Sequence, residues 1–100
     1  MKSHSLVFAF MRLDLFLKVS RIVSKRSLAN DLCDRGLIRV NDDLAKPAKN
    51  VHVGDQIEIK RESKKIKAVV LSIPGSNQVS KEIARSLYEI VSETIDPRLA

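Results

Sequence analysis

Several features are scarce in this chain, and each absence excludes something. Cys33 is the one cysteine among 100 residues, so no intramolecular disulfide can form and a reducing compartment suits the chain. A thiol nucleophile would need a base, and the two histidines offer little: His4 lies in the amino-terminal stretch and His52 sits between Val51 and Val53. Cys33 shares a helical side with Ala29 and lies near Leu32, which reads as a small buried hydrophobe. Three glycines leave no room for a glycine-rich phosphate loop, and no Cys/His spacing matches a zinc site. Aromatics are limited to Phe8, Phe10, Phe16 and Tyr88, which argues against a sheet that stacks single-stranded bases. Long apolar runs are missing. Leu6 to Met11 is too short for a bilayer and, ended by Arg12 and Asp14, too short for a signal peptide. Residues 1–10 are therefore expected to form a loosely attached tail, with Met11 a candidate natural start, in a soluble cytoplasmic protein with no membrane partner.

Positive charge is what the chain has. It holds 18 Lys and Arg against 12 Asp and Glu, a net +6, and the whole of that excess falls within residues 11–67. Such a balance points to a polyanionic partner. Its 44% hydrophobic content suffices for one small core, and not for a deep catalytic cleft. Paired carboxylates that could converge on a substrate are also missing. Asp42 and Asp43 are neighbours in a turn, and Glu82, Glu89 and Glu93 fit the outer side of a helix. No enzyme and no cofactor is expected.

The spacing predicts a first helix over about Arg12 to Ser24. Leu13, Phe16, Leu17, Val19 and Val23 form its apolar side, and Asp14, Lys18, Arg21 and Lys25 stack on the solvent side. After the link Ser24–Ser27, a second helix is expected with Ser27 as its N-cap and Gly36 as its left-handed C-cap. Leu37–Val40 reads as a strand, Asn41-Asp42-Asp43 as a tight turn, and Ala45–Pro47 as a return edge. Gln56–Lys60 and Ala68–Ile73 read as strands around a basic hairpin tip from Lys60 to Lys67. A last helix is expected from Ser80, with Ile83, Leu87, Ile90 and Val91 as its stripe and Asp96-Pro97 as its end. The class is α+β: two amino-terminal helices on a small twisted antiparallel or mixed sheet, followed by a carboxy-terminal helix.

From Arg12 to Arg26 there are five cations and one anion. The amino end of the second helix adds free N–H groups, and Ser24 and Ser27 add hydroxyls. The cations lie on the first helix and the link, not where a helix-turn-helix reads base edges, so phosphates of structured RNA fit better than duplex DNA.

Met11-Arg12-Leu13-Asp14, Phe16 to Arg21, Lys25 to Ala29, Gly36 to Asn41, Ala45-Lys46-Pro47 and Val53-Gly54-Asp55 together resemble the RNA-binding domain first seen in small-subunit ribosomal protein S-four. The resemblance covers about residues 11–60. It divides the chain into a tail (1–10), an S-four-like domain (11–73), and a linker with an amphipathic helix (74–100). Among stand-alone members, the length, the start at Met11 and a short carboxy-terminal helix expected around Tyr88 are most similar to the RqcP group of bacterial ribosome-associated quality control, akin to the small ribosome-associated heat-shock proteins. That resemblance implies a non-enzymatic, monomeric factor that binds large-subunit rRNA and peptidyl-tRNA on stalled complexes. It also implies an RqcH-like partner that adds alanine tails; a general heat-shock factor for stalled large subunits with no tailing partner is the alternative. On this resemblance Arg12, Lys18, Arg21, Lys25 and Arg26 fall on RNA-contacting positions, and with Ser27 and Lys46 they make up the expected RNA-binding residues. Leu15 and Ser24 stand where the family often has basic residues, and Asp42 where it often has glycine.

Overall fold

The computed structural model describes residues 9–95. In chain order the elements are β1 (Met11–Arg12), α1 (Leu13–Val19), α2 (Arg26–Asp34), β2 (Ile38–Val40), β3 (Asp43–Leu44), β4 (Asn50–Val51), β5 (Gln56–Arg61), β6 (Lys64–Val70), α3 (Lys81–Ser86) and β7 (Tyr88–Ile95). Five strands form one antiparallel sheet in the order β3-β2-β5-β6-β7, and β1 pairs β4 in a separate two-stranded ribbon. The α+β class is as expected, with a sheet that is antiparallel throughout.

Alternation builds the sheet. Ile38, Val40, Ile57, Ile59, Ala68 and Val70 are buried on one face, while Arg39, Gln56, Lys60 and Lys65 point the other way. Onto the apolar face fold Leu13, Phe16, Leu17 and Val19 of α1, and Ala29, Leu32 and Cys33 of α2. Burying each of the larger side chains is worth about 1.5–3 kcal/mol.

The first helix is shorter than its periodicity suggests. It stops at Val19, Ser20 donates its backbone N–H to the Phe16 carbonyl, and Arg21 adopts a left-handed φ of +64°. The N–H of Val23 then reaches back to the Leu17 carbonyl at 3.0 Å, and Val23 is buried. An apolar stripe at helical spacing is thus satisfied by a turn that folds Val23 inward, and Lys25 belongs to the next element. Lys25 occupies the N-cap of α2 in extended backbone, so Ser27 lies inside the first turn instead of capping it. At the other end, Gly36 has φ +73° and the Leu37 N–H bonds the Leu32 carbonyl, the expected closure.

The hairpins follow their turn chemistry. Asn41 and Asp42 both have positive φ, 51° and 73°, the tight two-residue geometry between β2 and β3. The return strand is Asp43–Leu44, so Ala45–Pro47 lies beyond it in loop. In the next hairpin the turn shrinks to Glu62 and Ser63, because Lys60 pairs Lys65 and Arg61 pairs Lys64 within the ladder. Accordingly β6 begins at Lys64 and ends at Val70, earlier on both sides than the apolar run alone implies.

The carboxy-terminal region departs most. Ser80 caps α3 as expected, its Oγ accepting the Ile83 N–H at 3.2 Å. The helix ends at Ser86, however, and Tyr88–Ile95 is a strand along β6. Ile83, Leu87, Ile90 and Val91 satisfy helical spacing, yet Ile90, Val91, Thr94 and Ile95 are β-branched and suit the open edge that β6 presents. Glu89 and Glu93 therefore lie on a strand. Asp96-Pro97 and residues 1–8 of the tail fall outside the described residues.

A candidate nucleic-acid interface

Asp14 is the organising side chain. It sits in the first turn of α1, where a carboxylate is favoured, but α2 packs over it and leaves it 1% exposed. The expectation that it shares the solvent face with Lys18 and Arg21 is thus overturned. Backbone carbonyls of the loop before β4 receive the helix's first free N–H groups: Leu13 donates to Lys49 at 2.7 Å and Asp14 to Pro47 at 3.1 Å. With its main chain held there, the Asp14 carboxylate points at the start of α2.

Three side chains converge on that carboxylate. Arg12 donates through Nε to Oδ1 at 3.2 Å and through Nη2 to Oδ2 at 3.1 Å, a forked contact. Arg26 brings its Nε to 3.2 Å from Oδ2. Asn30 donates its amide to Oδ2 at 2.9 Å and to the Arg26 carbonyl at 3.0 Å. Burial works against ionising Asp14, but the donors from Arg12, Asn30 and Arg26, with the charge of Arg26, hold its carboxyl below the usual carboxylate range.

One anion therefore faces two cations. Arg12 and Arg26 are 48% and 47% exposed, against 1% for Asp14. Each guanidinium spends one edge on the carboxylate and keeps further N–H donors for solvent, and the trio retains a net positive charge. Carboxylate pairing here orients the arginines without neutralising them. Next to them, the amino end of α2 has no side-chain cap and no acidic residue in its first turn, and Lys25 and Ser27 are exposed beside it. Such an end attracts anions.

Lys18 and Arg21 belong to a neighbouring groove, lined also by Ser24, Asn77, Gln78 and Val79. The left-handed backbone at Arg21 turns its side chain toward the loop before α3, where Nη2 donates to the Val79 carbonyl at 3.2 Å. Lys46 precedes Pro47, whose carbonyl accepts the Asp14 N–H, and faces a third region. It lines a hollow with Cys33, Asp34, Gly36 and Leu44, toward the carboxy end of α2. So the residues expected to bind RNA are divided between the Arg12–Arg26 cluster, the Lys18–Arg21 groove and Lys46. Asn30, which is not among the expected residues, orients the Asp14 carboxylate. The loop residues Asn77 and Gln78 carry no local signal, because tertiary packing alone brings them to Arg21.

Cys33 is buried, and burial together with the nearby charges of Asp14 and Asp34 pushes its thiol up to about 11. It serves as packing. His52 lies in the loop after β4, where its N–H bonds Asp55 Oδ2 at 2.8 Å and its ring lies 5.8 Å from that of Phe10. Among the described residues, no cluster of His, Cys, Asp and Glu could hold a metal ion, and no helix is long and apolar enough to cross a membrane.

Comparisons with known proteins cover the same part of the chain. A family model described as the S4 domain matches residues 11–57, which include α1, α2 and the whole arginine cluster. The RQC P-site tRNA stabilizing factor of Streptococcus pneumoniae is 45% identical over 84 residues, 84% of this chain and 93% of that protein. A protein of the same name from Halalkalibacterium halodurans is 40% identical, covering 83% of this chain and 92% of its own. Among solved structures, the trimeric Heat Shock Protein 15 of Vibrio cholerae superposes with a TM-score of 0.74 at 30% identity, over 83% of each chain.

Proposed function

Since this chain belongs to the family of the RQC P-site tRNA stabilizing factors and carries their S4 domain, we propose that it is a non-enzymatic RNA-binding factor of ribosome-associated quality control. In this reading it binds rRNA of the large ribosomal subunit and holds peptidyl-tRNA on stalled complexes, while an RqcH-like factor adds alanine to the nascent chain. The observation that carries it is the pair of half-exposed guanidiniums fixed by one buried carboxylate at the uncapped start of α2. Preset forks of this kind match phosphate oxygens at little cost in side-chain freedom. Lys25 and Ser27 extend the same surface, Lys18 and Arg21 continue it toward the loop before α3, and Lys46 offers a further contact.

The test is co-sedimentation of Arg26→Ala and Arg26→Lys with purified large subunits. Alanine is expected to weaken association about tenfold or more, and lysine to restore only part of it, because a point charge does not replace a fork. Association of both variants at parental strength would refute the site.

Similarity to Heat Shock Protein 15 favours one further reading, a general heat-shock factor for stalled large subunits that works with no tailing partner. Capture of stalled subunits by the tagged chain separates the two. Loss of capture in cells without the tailing factor supports the first, and unchanged capture supports the second.

A further inference from the structure

The β5–β6 hairpin carries charge that the surface at α1 and α2 does not use. Between Lys60 and Lys67 there are five cations and one carboxylate, Glu62. The register places like charges directly opposite each other twice in succession, Lys60 against Lys65 and Arg61 against Lys64. Such pairs destabilise a ladder, where Lys opposite Glu would stabilise it and serve solubility equally well. That solution occurs one step away, where Glu58 lies between Arg39 and Lys67. At the tip only Lys64 has a relief, an ion pair with Glu93 at 3.0 Å; among the described residues Lys60, Arg61, Lys65 and Lys67 form none. Across from Lys65 and Lys67, β7 contributes Thr94 and Ser92, small neutral residues, with Lys65 exposed and Lys67 half-buried.

The tip is also accessible. Ladder pairing with β2 ends at Ile38 against Ile59, and one last bond runs from the Lys60 N–H to the Leu37 carbonyl, so from Arg61 onward the hairpin continues with β7 on one side only. On its solvent face a shallow hollow is lined by Gly36, Leu37, Arg39, Glu58, Lys60 and Lys65. Alternate residues of one strand stand about 6.6 Å apart and cross-strand partners about 5 Å apart, a close array of point charges. No aromatic side chain stands among these cations to anchor a protein partner.

We propose that the Lys60–Lys65–Lys67 face of the β5–β6 hairpin, with Arg39 at its margin, is a second RNA-backbone site, separate from the Arg12–Arg26 cluster. It rests on the reading of the chain as an RNA binder and adds a second region of contact. Repulsion stored in the empty hairpin is relieved when phosphates lie between the lysines.

The experiment titrates Lys60→Gln/Lys65→Gln in the full chain against purified large subunits and against a short RNA hairpin, over a series of salt concentrations. Affinity is expected to fall about tenfold at low salt, and the slope of log K against log salt to shrink by about 2. Melting temperature at low salt is expected to hold or rise, since a like-charge pair is removed. Lys60→Arg/Lys65→Arg should bind as the parent does. If the glutamine variant loses its fold, Lys65→Gln/Lys67→Gln is read in its place. A folded variant with parental affinity and slope overturns the second site. If Arg26→Ala loses binding in the same assay, that failure is confined to the hairpin; if it too binds as the parent does, the RNA reading itself falls. Attachment to phosphatidylserine vesicles that is lost in the variant, with RNA affinity intact, would assign the face to lipid and also overturn the proposal.

Discussion

The carboxylate of Asp14, buried at the start of α1, lies 3.2 Å from the guanidinium of Arg26 at the start of α2. This contact and the Asn30 bond to the same carboxylate join α1 to α2, and the first aims an arginine outward from the join. Stability and candidate function meet in one side chain. Asp14→Asn keeps the shape, removes the charge and raises the net positive charge by one. It is expected to cost about 2 kcal/mol at neutral pH, measured by urea unfolding. RNA affinity is expected to fall several-fold despite the added positive charge, because Arg12 and Arg26 lose their fixed orientation. A rise in affinity would show that net charge alone governs binding.

The same carboxylate sets an acid dependence. Its value in the folded chain lies below the 3.8 of a free aspartate, so the unfolded chain takes up the proton first as pH falls. The stabilisation it provides is complete above the unfolded value and disappears as pH drops through the folded one. Denaturation midpoints measured from about pH 5 down to about pH 2 should fall more steeply in the parent than in Asp14→Asn.

Arg21 holds a left-handed backbone at φ +64°, which costs a side chain about 1–2 kcal/mol and glycine almost nothing. Arg21→Gly is therefore expected to be about 1 kcal/mol more stable than Arg21→Ala by thermal or urea unfolding. Both should lose RNA affinity equally, since both lose the guanidinium at the groove with Val79.

Asp42 stands at φ +73° in the β2–β3 turn. Asp42→Gly should raise stability by about 0.5–1 kcal/mol, seen as a higher urea midpoint at an unchanged slope.

The Cys33 thiol, pushed up to about 11 and buried, is almost wholly protonated at neutral pH. Aromatic disulfide reagents are expected to label it only as the chain opens, with rates that rise with urea in step with unfolding.

Much was legible in the order of residues. Gly36 after Arg35, Asn41-Asp42 directly after Ile38–Val40, and Ser80 before a helical stripe each announce a local geometry that short-range chemistry enforces, and each is present. Cations gathered in residues 12–26 likewise mark the surface, because like charges stay in water wherever the chain turns. Three decisions lay outside local sequence. Leu13 to Val23 has one periodicity throughout, yet the helix breaks at Ser20 because Val23 is buried better by a turn. Tyr88–Ile95 suits either a helix or a strand, and the unpaired edge of β6 selects the strand. Asp14 could have faced water; α2 closing over it made it the buried anchor of two arginines. Propensity, turn chemistry and charge act over a few residues and can be read in order. Burial and edge pairing depend on which distant segment arrives, and that is known only when the chain has folded.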